Sequence, residues 1–470
     1  MRAKFCVQIT GLEARLAIMS EDSRKDHLLV LNKYNTILNQ MDPMRPLGRV
    51  IQVSGQTILS SGPPDTSIGQ VCKVESSDGT SILTEVTGFR GHDLVLVALG
   101  PTTGIFPDSM VHATGQRMTI HVGNEMLGRV LDGLGRPLDD GPPILTGNIF
   151  HAERNAPIPT ERVPIHEPLP TGVRAIDSLL TVGRGQRIGI FAGTGVGKST
   201  LLGMLARYTR ADINIVCLVG ERGREVREFI ERDLGKEGLA RSVVFVATSD
   251  RSSMEKVYAA SFATATAEFF RDQGLSVNLL MDSVTRYCMA LREIGITTGE
   301  QLGPGGYPPG VWYKLSRLVE RSGAIGTGNI TGFYTVLVEA DDMNDPVADS
   351  TRGMLDGHIV LSRRLASRNH YPSIEVTESV SRVMDNVVEA DHKEDARRLR
   401  ALLAAYRENE DIINLGAYAR GSNADVDRAI DLMPAINAFL RQRIEEGIPF
   451  EETIAGLHRL VHAGEEEDLY

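Results

Sequence analysis

The sequence predicts a multidomain α/β protein with an N-terminal small β-barrel or sandwich, a P-loop core on a mainly parallel sheet, and a C-terminal helical domain. Three observations predict it. Short β-prone runs broken by turns fill residues 48–112, apolar strands alternate with helical stretches up to about residue 382, and mainly helical patterns follow. A chain of 470 residues is also too long for one small core.

Composition limits the function classes. Hydrophobic residues make up 42% and charged residues 24%, the balance of a soluble globular protein. A formal net charge of −11 argues against a general nucleic-acid binder, which needs a basic face to neutralise phosphates. Cys6, Cys72, Cys217 and Cys288 are scattered, with no C-x-x-C and no His/Cys cluster at metal-ligand spacing, so they read as reduced structural thiols. The N-terminal residues carry no apolar run of signal-peptide length and no later segment has the length to span a bilayer, so the expected location is the cytoplasm, at most peripheral to a membrane.

Along the chain, Leu28, Leu31, Tyr34, Leu38 and Met41 recur at helical spacing before Asp42-Pro43 ends the run. An amphipathic helix is expected there, packed on its own domain or docking a partner. From Gly48 to about His112 the runs GRVIQV, QTIL, EVTGF and LVLVAL are separated by SG, SSGPPD and RGHD, the pattern of a small barrel or sandwich. Residues 130–144, VLDGLGRPLDDGPPI, read as a turn-rich connector. Then RIGIFAG, INIVCLVG, VVFVAT, VNLLMD and GFYTVLVEA alternate with helical stretches, implying a parallel sheet covered on both faces. Beyond Arg382 helical patterns are punctuated by Gly-Ser-Asn at 421–423, and the acidic end EEEDLY reads as a solvated tail.

The stretch FAGTGVGKST, residues 191–200, carries the chemistry. It fits two glycine codes. A dinucleotide fingerprint G-x-G-x-x-G counted from Gly193 requires glycine where Lys198 stands, so that reading fails. A P-loop requires Lys198 and Ser199 where they are, between a strand and a helix, with glycines that let successive backbone N–H groups curl around phosphate. One departure is Ala192, which stands where the P-loop pattern opens with glycine and is tolerable if its φ is negative. The phosphate-binding run is therefore Gly193, Thr194, Gly195, Val196, Gly197, Lys198, Ser199 and Thr200.

Phosphoryl transfer also calls for Mg2+ and a carboxylate. Asp282 ends the apolar strand VNLLMD, on the edge where α/β sheets bind ligands, and is paired with Ser199 as a candidate metal ligand; its plainer reading is a helix N-cap. Glu221 follows the strand INIVCLVG on the same edge and is the candidate water-activating base. Its plainer reading is membership of an exposed ion-pair cluster with Arg222, Arg224 and Glu225.

The P-loop with GERGRE, LLMDSVTRY, GGYPP, DGHIVLSRRLA, NHYPSIEVTESVSR and YRENEDIINLGAYARGS resembles the ATPases of type III protein export systems, kin to the catalytic subunits of rotary ATP synthases. The stretch TGVRAIDSLLTVGRGQRIGIFAG and the IINLGAYARGS run look more like the flagellar than the injectisome branch. The resemblance implies a β-barrel over 48–112, a RecA-like ATPase core over 113–382 and a helical domain over 383–470, after a partner-binding segment over 1–47, assembled as a homohexamer with ATP at subunit interfaces. It implies that Glu221 activates water, that Arg222 points at the terminal phosphate, that Arg382 projects into the neighbouring subunit's site, and that Tyr371 stacks on adenine. The implied activity is Mg2+-dependent ATP hydrolysis coupled to chaperone release and cargo unfolding or entry. The implied partners are a regulatory stator-like protein at the N-terminal helix, a central stalk protein, an export gate at the inner membrane, and chaperone–cargo complexes; loop 299–310, near the ring's central channel by the same resemblance, reads equally as a contact for the stalk or exported chain and as a rigid connector. A rotary synthase subunit and a non-hydrolysing nucleotide switch are the rival readings, and a third, an RNA-translocating hexameric helicase, is disfavoured by the net charge of −11 and the lack of an RNA-stacking motif in the barrel.

Overall fold

The computed structural model describes residues 46–145, 147–338 and 342–463. The helix expected over 26–41, Cys6 and the acidic end lie outside them.

The turn-broken N-terminal region closes into a barrel rather than a sandwich. Its strands are β1 (Gly48–Ser54), β2 (Thr57–Ser60), β3 (Gln70–Glu75), β4 (Ser81–Arg90), β5 (Asp93–Ala98) and β6 (Met110–Arg117), in spatial order β1-β2-β5-β4-β3-β6. Strands β3 and β6 are absent from the runs read in the sequence. QVCKVE and MVHATGQR are too polar to stand out alone, and it is closure that makes them strands, by pairing Cys72 with Ala113 and Val74 with Val111. Val50, Ile58, Val74, Val86, Leu96 and Val111 fill the interior. Strand β5 is buried on both faces, because Leu94 and Leu96 point into the barrel while Val97 packs into the next domain's core.

After the barrel, β7 (Thr119–Val122) and β9 (Asn148–His151) form a two-stranded antiparallel ribbon. The stretch read as a connector begins with a strand, β8 (Val130–Asp132), which pairs parallel with the strand Ser242–Ala247 at the sheet edge; only its continuation is turn. Three residues are too few to show a period, so this strand is set by its neighbour.

The core sheet holds β10 (Arg187–Ala192), β11 (Ile213–Val219), β12 (Ser242–Ala247), β13 (Ser276–Asp282), β15 (Gly328–Leu337) and β16 (Gly357–Leu361). Two short strands, β14 (Gly323–Ile325) and β17 (Val380–Ser381), pair antiparallel to β15 and β16. The spatial order is β17-β16-β10-β15-β13-β11-β12-β8. Every residue of β11 is buried, as a strand covered on both faces requires. Ile213, Ile215, Cys217 and Val219 pack under the helices Ser253–Arg271 and Val284–Thr298, while Val216 and Leu218 share the opposite core with the helix Lys198–Tyr208. Cys72, Cys217 and Cys288 are buried and free, in keeping with structural thiols.

The C-terminal region is helical: Ala390–Asn414, Ala424–Leu440 and Phe450–Val461. The punctuation at 421–423 falls between the first two, where Gly421 has φ 89° and Asn423 caps the second helix by accepting from Asp425 N at 3.0 Å. No described helix is long and apolar enough to cross a membrane.

A buried ion pair ties three elements beside the ribbon. Arg321 donates from Nε to Glu268 Oε1 at 2.8 Å and from Nη2 to Oε2 at 3.0 Å, while its Nη1 reaches Ala152 O at 2.8 Å. Both side chains are almost fully buried. Removing one partner strands a charge in the interior. Glu268→Leu is therefore expected to lower stability by about 3–5 kcal/mol, read as a fall in the urea midpoint.

Candidate active site

The parallel register delivers three strand ends to one edge. The phosphate loop leaves β10 after Ala192, Glu221 follows β11 after Gly220, and Asp282 ends β13. Ala192 completes β10, paired with Leu337 and Leu361, and is not among the residues of positive φ, so the missing opening glycine costs nothing here. Gly195 and Gly197 have φ of 77° and 93°, the left-handed conformations with which a phosphate loop curls its amides around an anion. The helix Lys198–Tyr208 begins at once, and its first turn leaves backbone donors without intrahelical partners, next to Ser199 and Thr200. Ser373 Oγ donates to Val196 O at 2.6 Å and pins the loop from the far side of β16.

Lys198 reaches across the edge. Its ammonium bonds Asp282 Oδ1 and lies 3.5 Å from Glu221 Oε1. Thr335 Oγ1, from β15, donates to the same Asp282 oxygen at 2.7 Å and fixes the carboxylate. The plainer reading of Asp282 as a helix cap does not describe this geometry: Ser283 caps the helix Val284–Thr298, and Asp282 faces Lys198. Burial pushes the Glu221 carboxyl up to about 7, the Asp282 charge adds to this, and Lys198 opposes it. Burial works against the Lys198 ammonium, but Asp282 and Glu221 outweigh it and its pKa is raised. A cation held by two carboxylates at the mouth of an amide-lined loop suits an anionic ligand that carries its own cation.

The exposed cluster suggested by the sequence also exists, and Glu221 touches it through Glu225 while facing Lys198. Arg222 pairs with Glu225 at 3.7 Å and Arg224 with Glu228 at 2.7 Å, all on the outer surface of the Gly223–Glu228 helix and its cap. Arg222 is exposed and its partner is Glu225. Tyr371 stands over the loop, its ring 3.5 Å from where a Cβ on Gly197 would lie. It borders a cleft of about 810 Å³ between Gly195, Gly197 and Thr200 on one side and Arg174, Gln442 and the 443–446 backbone of the C-terminal region on the other. The size fits a nucleoside.

Arg382 is not part of this constellation. It is exposed, and its backbone N–H bonds Asp356 O at 2.9 Å. Asp356 in turn bonds Arg187, the first residue of β10, five residues before its last, Ala192. At roughly 3.3 Å per strand residue this puts Arg382 at the opposite sheet edge, on the order of 16 Å away. Ser373, Thr335 and Gln442 belong to the site but carry no sequence signal, since each is a lone polar residue placed by a distant contact.

Fold and edge geometry define a P-loop nucleoside triphosphatase of the RecA-like class. The family described as ATP synthase alpha/beta, nucleotide-binding domain, matches residues 172–381, its beta-barrel domain matches 50–115, and the T3SS EscN ATPase C-terminal domain matches 388–459. A flagellum-specific ATP synthase of Bacillus subtilis (strain 168) is 49% identical over 92% of this chain and 98% of its own. A type 3 secretion system ATPase of Xanthomonas euvesicatoria is 49% identical over 87% of this chain and 93% of its own. The assembled ATPase EscN of enteropathogenic E. coli superposes with a TM-score of 0.84 at 42% identity, covering 88% of this chain and all of that one. The chain belongs to the ATP synthase alpha/beta family and, within it, to the type III export ATPases, ATP-hydrolysing P-loop enzymes.

Gly197 holds a conformation that a side chain resists. Gly197→Ala is expected to strain the loop by about 1–3 kcal/mol and to weaken binding of a fluorescent ATP analogue correspondingly, with little change in overall secondary structure by circular dichroism.

Proposed function

We propose that this chain is the energising ATPase of a type III protein export apparatus, in its flagellar form, and that it works as a homohexamer. The observation that carries the reading is the Lys198–Asp282–Glu221 group at the end of an amide-lined loop. The backbone of 193–198 and the Lys198 ammonium bind the phosphates, and Tyr371 stacks on adenine in the cleft. Ser199 and Asp282 fit Mg2+: both offer hard oxygen donors, and Asp282 is a buried carboxylate that already holds a cation. When bound, Mg2+ draws off charge that builds on the phosphate oxygens. Glu221, half-buried and beside this group, accepts the proton of the attacking water.

Arg382 acts on a neighbouring copy. Its exposure and its distance from its own loop suit a cation supplied across an interface, where it neutralises charge on the transferring phosphoryl group; such fingers contribute ~10³–10⁵ in rate. Arg222, at an exposed helix start directly after Glu221, swings from its pairing with Glu225 toward the terminal phosphate of a bound nucleotide. The assembled EscN structure was also solved in complex with its central stalk EscO. By likeness, we assign this chain a stalk partner, met through loop 299–310. That loop is stiff, with Arg292 Nε donating to Gly306 O at 2.6 Å and Tyr307 against Trp312 at 5.2 Å. Chaperone–cargo complexes, an export gate at the inner membrane and a stator-like regulator complete the proposed partners.

Glu221→Gln is expected to keep ATP binding while turnover falls by ~10²–10⁴-fold. Chelation of Mg2+ by EDTA should abolish turnover and restoration of Mg2+ should return it; near-normal rates in either experiment would remove the corresponding group from the mechanism. Mixing Arg382→Ala with Lys198→Ala should restore part of the activity that each lacks, because some interfaces then pair an intact loop with an intact finger. Absence of rescue in mixed rings confirmed by light scattering would refute the trans arginine.

A further inference from the structure

The C-terminal helices hold a set of side chains that nucleotide chemistry does not use. Asp395 lies on the helix Ala390–Asn414 and is buried. His458 and His462 stand four residues apart on, and just beyond, the helix Phe450–Val461, so both rings project from one face. His458 Nδ1 is 2.8 Å from Asp395 Oδ2, and His462 Nε2 is 3.0 Å from Oδ1. The ring centroids are 4.4 Å apart, and the three ligand-type atoms lie within 4.8 Å of one another.

We propose that Asp395, His458 and His462 form a site for a divalent transition metal, with zinc the best match and water as the fourth ligand. Zn–N and Zn–O bonds of about 2.0–2.2 Å in a tetrahedron set ligand atoms roughly 3.3–3.5 Å apart, so small side-chain rotations convert the present hydrogen-bonded trio into a coordination shell. Two imidazoles with one carboxylate favour zinc over Mg2+ or Ca2+, which prefer all-oxygen sites. The parts also have the right mobility. Asp395 is anchored by burial, His462 is partly covered, and His458, with its side chain 60% exposed, leaves a path for the ion. Uptake releases a proton from any imidazole that is charged beforehand.

The position gives such an ion leverage. One turn before Asp395, His392 bonds Ser178 O at 2.8 Å on the helix Arg174–Leu179 of the nucleotide domain. Arg428 Nη2 holds Val461 O at 2.8 Å, at the end of the helix that carries the histidines. A metal here clips the last helix to the first of the C-terminal set, at the seam with the ATPase core.

The test uses the full chain, stripped with chelator and kept free of nucleotide. Zinc titration by calorimetry should give one equivalent bound per chain. Co2+ should give the visible absorption of a tetrahedral ion, and zinc should raise the melting temperature. In His458→Ala/His462→Ala the affinity should fall by at least the roughly 10–100-fold that loss of even an outer-shell partner costs, and the spectrum should vanish. Mg2+-dependent ATPase activity of that variant should match the parent, which also shows that it folds. His458→Ala alone, at the more exposed position, serves as a second variant. No zinc uptake by the parent, or equal uptake by parent and double variant, overturns the site and leaves the trio as a hydrogen-bonded staple.

Discussion

The register of one parallel sheet is the constraint on which the rest of this molecule depends. Strands β10, β11 and β13 must run the same way and end level for Lys198 to touch both Asp282 and Glu221. None of these three side chains is near another in sequence. Their meeting is enforced by backbone pairing beneath them and by β15, which lies between β10 and β13 and contributes Thr335. A slip of one residue would turn Asp282 toward the opposite face and leave the ammonium without its nearer carboxylate.

That constraint also explains what the sequence made legible. Phosphate-binding glycines have to stand together on one turn, and a carboxylate directly after the apolar Leu-Leu-Met of a short strand marks itself, so the loop, Asp282 and Glu221 could be read from local text. Arg382 could not. Its residues say only that an arginine follows a short edge strand, and its assignment rests on likeness to a family. Ser373, Thr335 and Gln442 stayed invisible because each acts through a partner between 53 and 270 residues away. Strand β8 was lost for the same reason, since three residues in a turn-rich stretch become a strand only when a neighbour offers an edge. The histidine spacing at 458 and 462 was visible in principle, but the buried aspartate that gives it meaning lies 63 and 67 residues earlier on another helix.

Charge is distributed unevenly between surface and interior. The arginine and glutamate pairs along Gly223–Glu228 are exposed and contribute little to stability, whereas Arg321–Glu268 and Lys198–Asp282 are shielded and strongly committed to their partners. The first buried pair holds the barrel side of the core together. The second, with Thr335 on the same carboxylate, orders the strand ends beside the phosphate loop.

The cleft beside Tyr371 is walled on one side by the phosphate loop and on the other by the segment joining the last two helices. Gln442 is bonded to Tyr371 O through its backbone at 2.9 Å and to Gly172 O through its side chain at 2.7 Å, and Arg174 reaches Phe439 O at 2.7 Å. Gln442 and Arg174 therefore fasten the C-terminal helices to the wall of the same cleft that Tyr371 and the phosphate loop border. The seat of any ligand held between them is thus set by two regions of the chain at once.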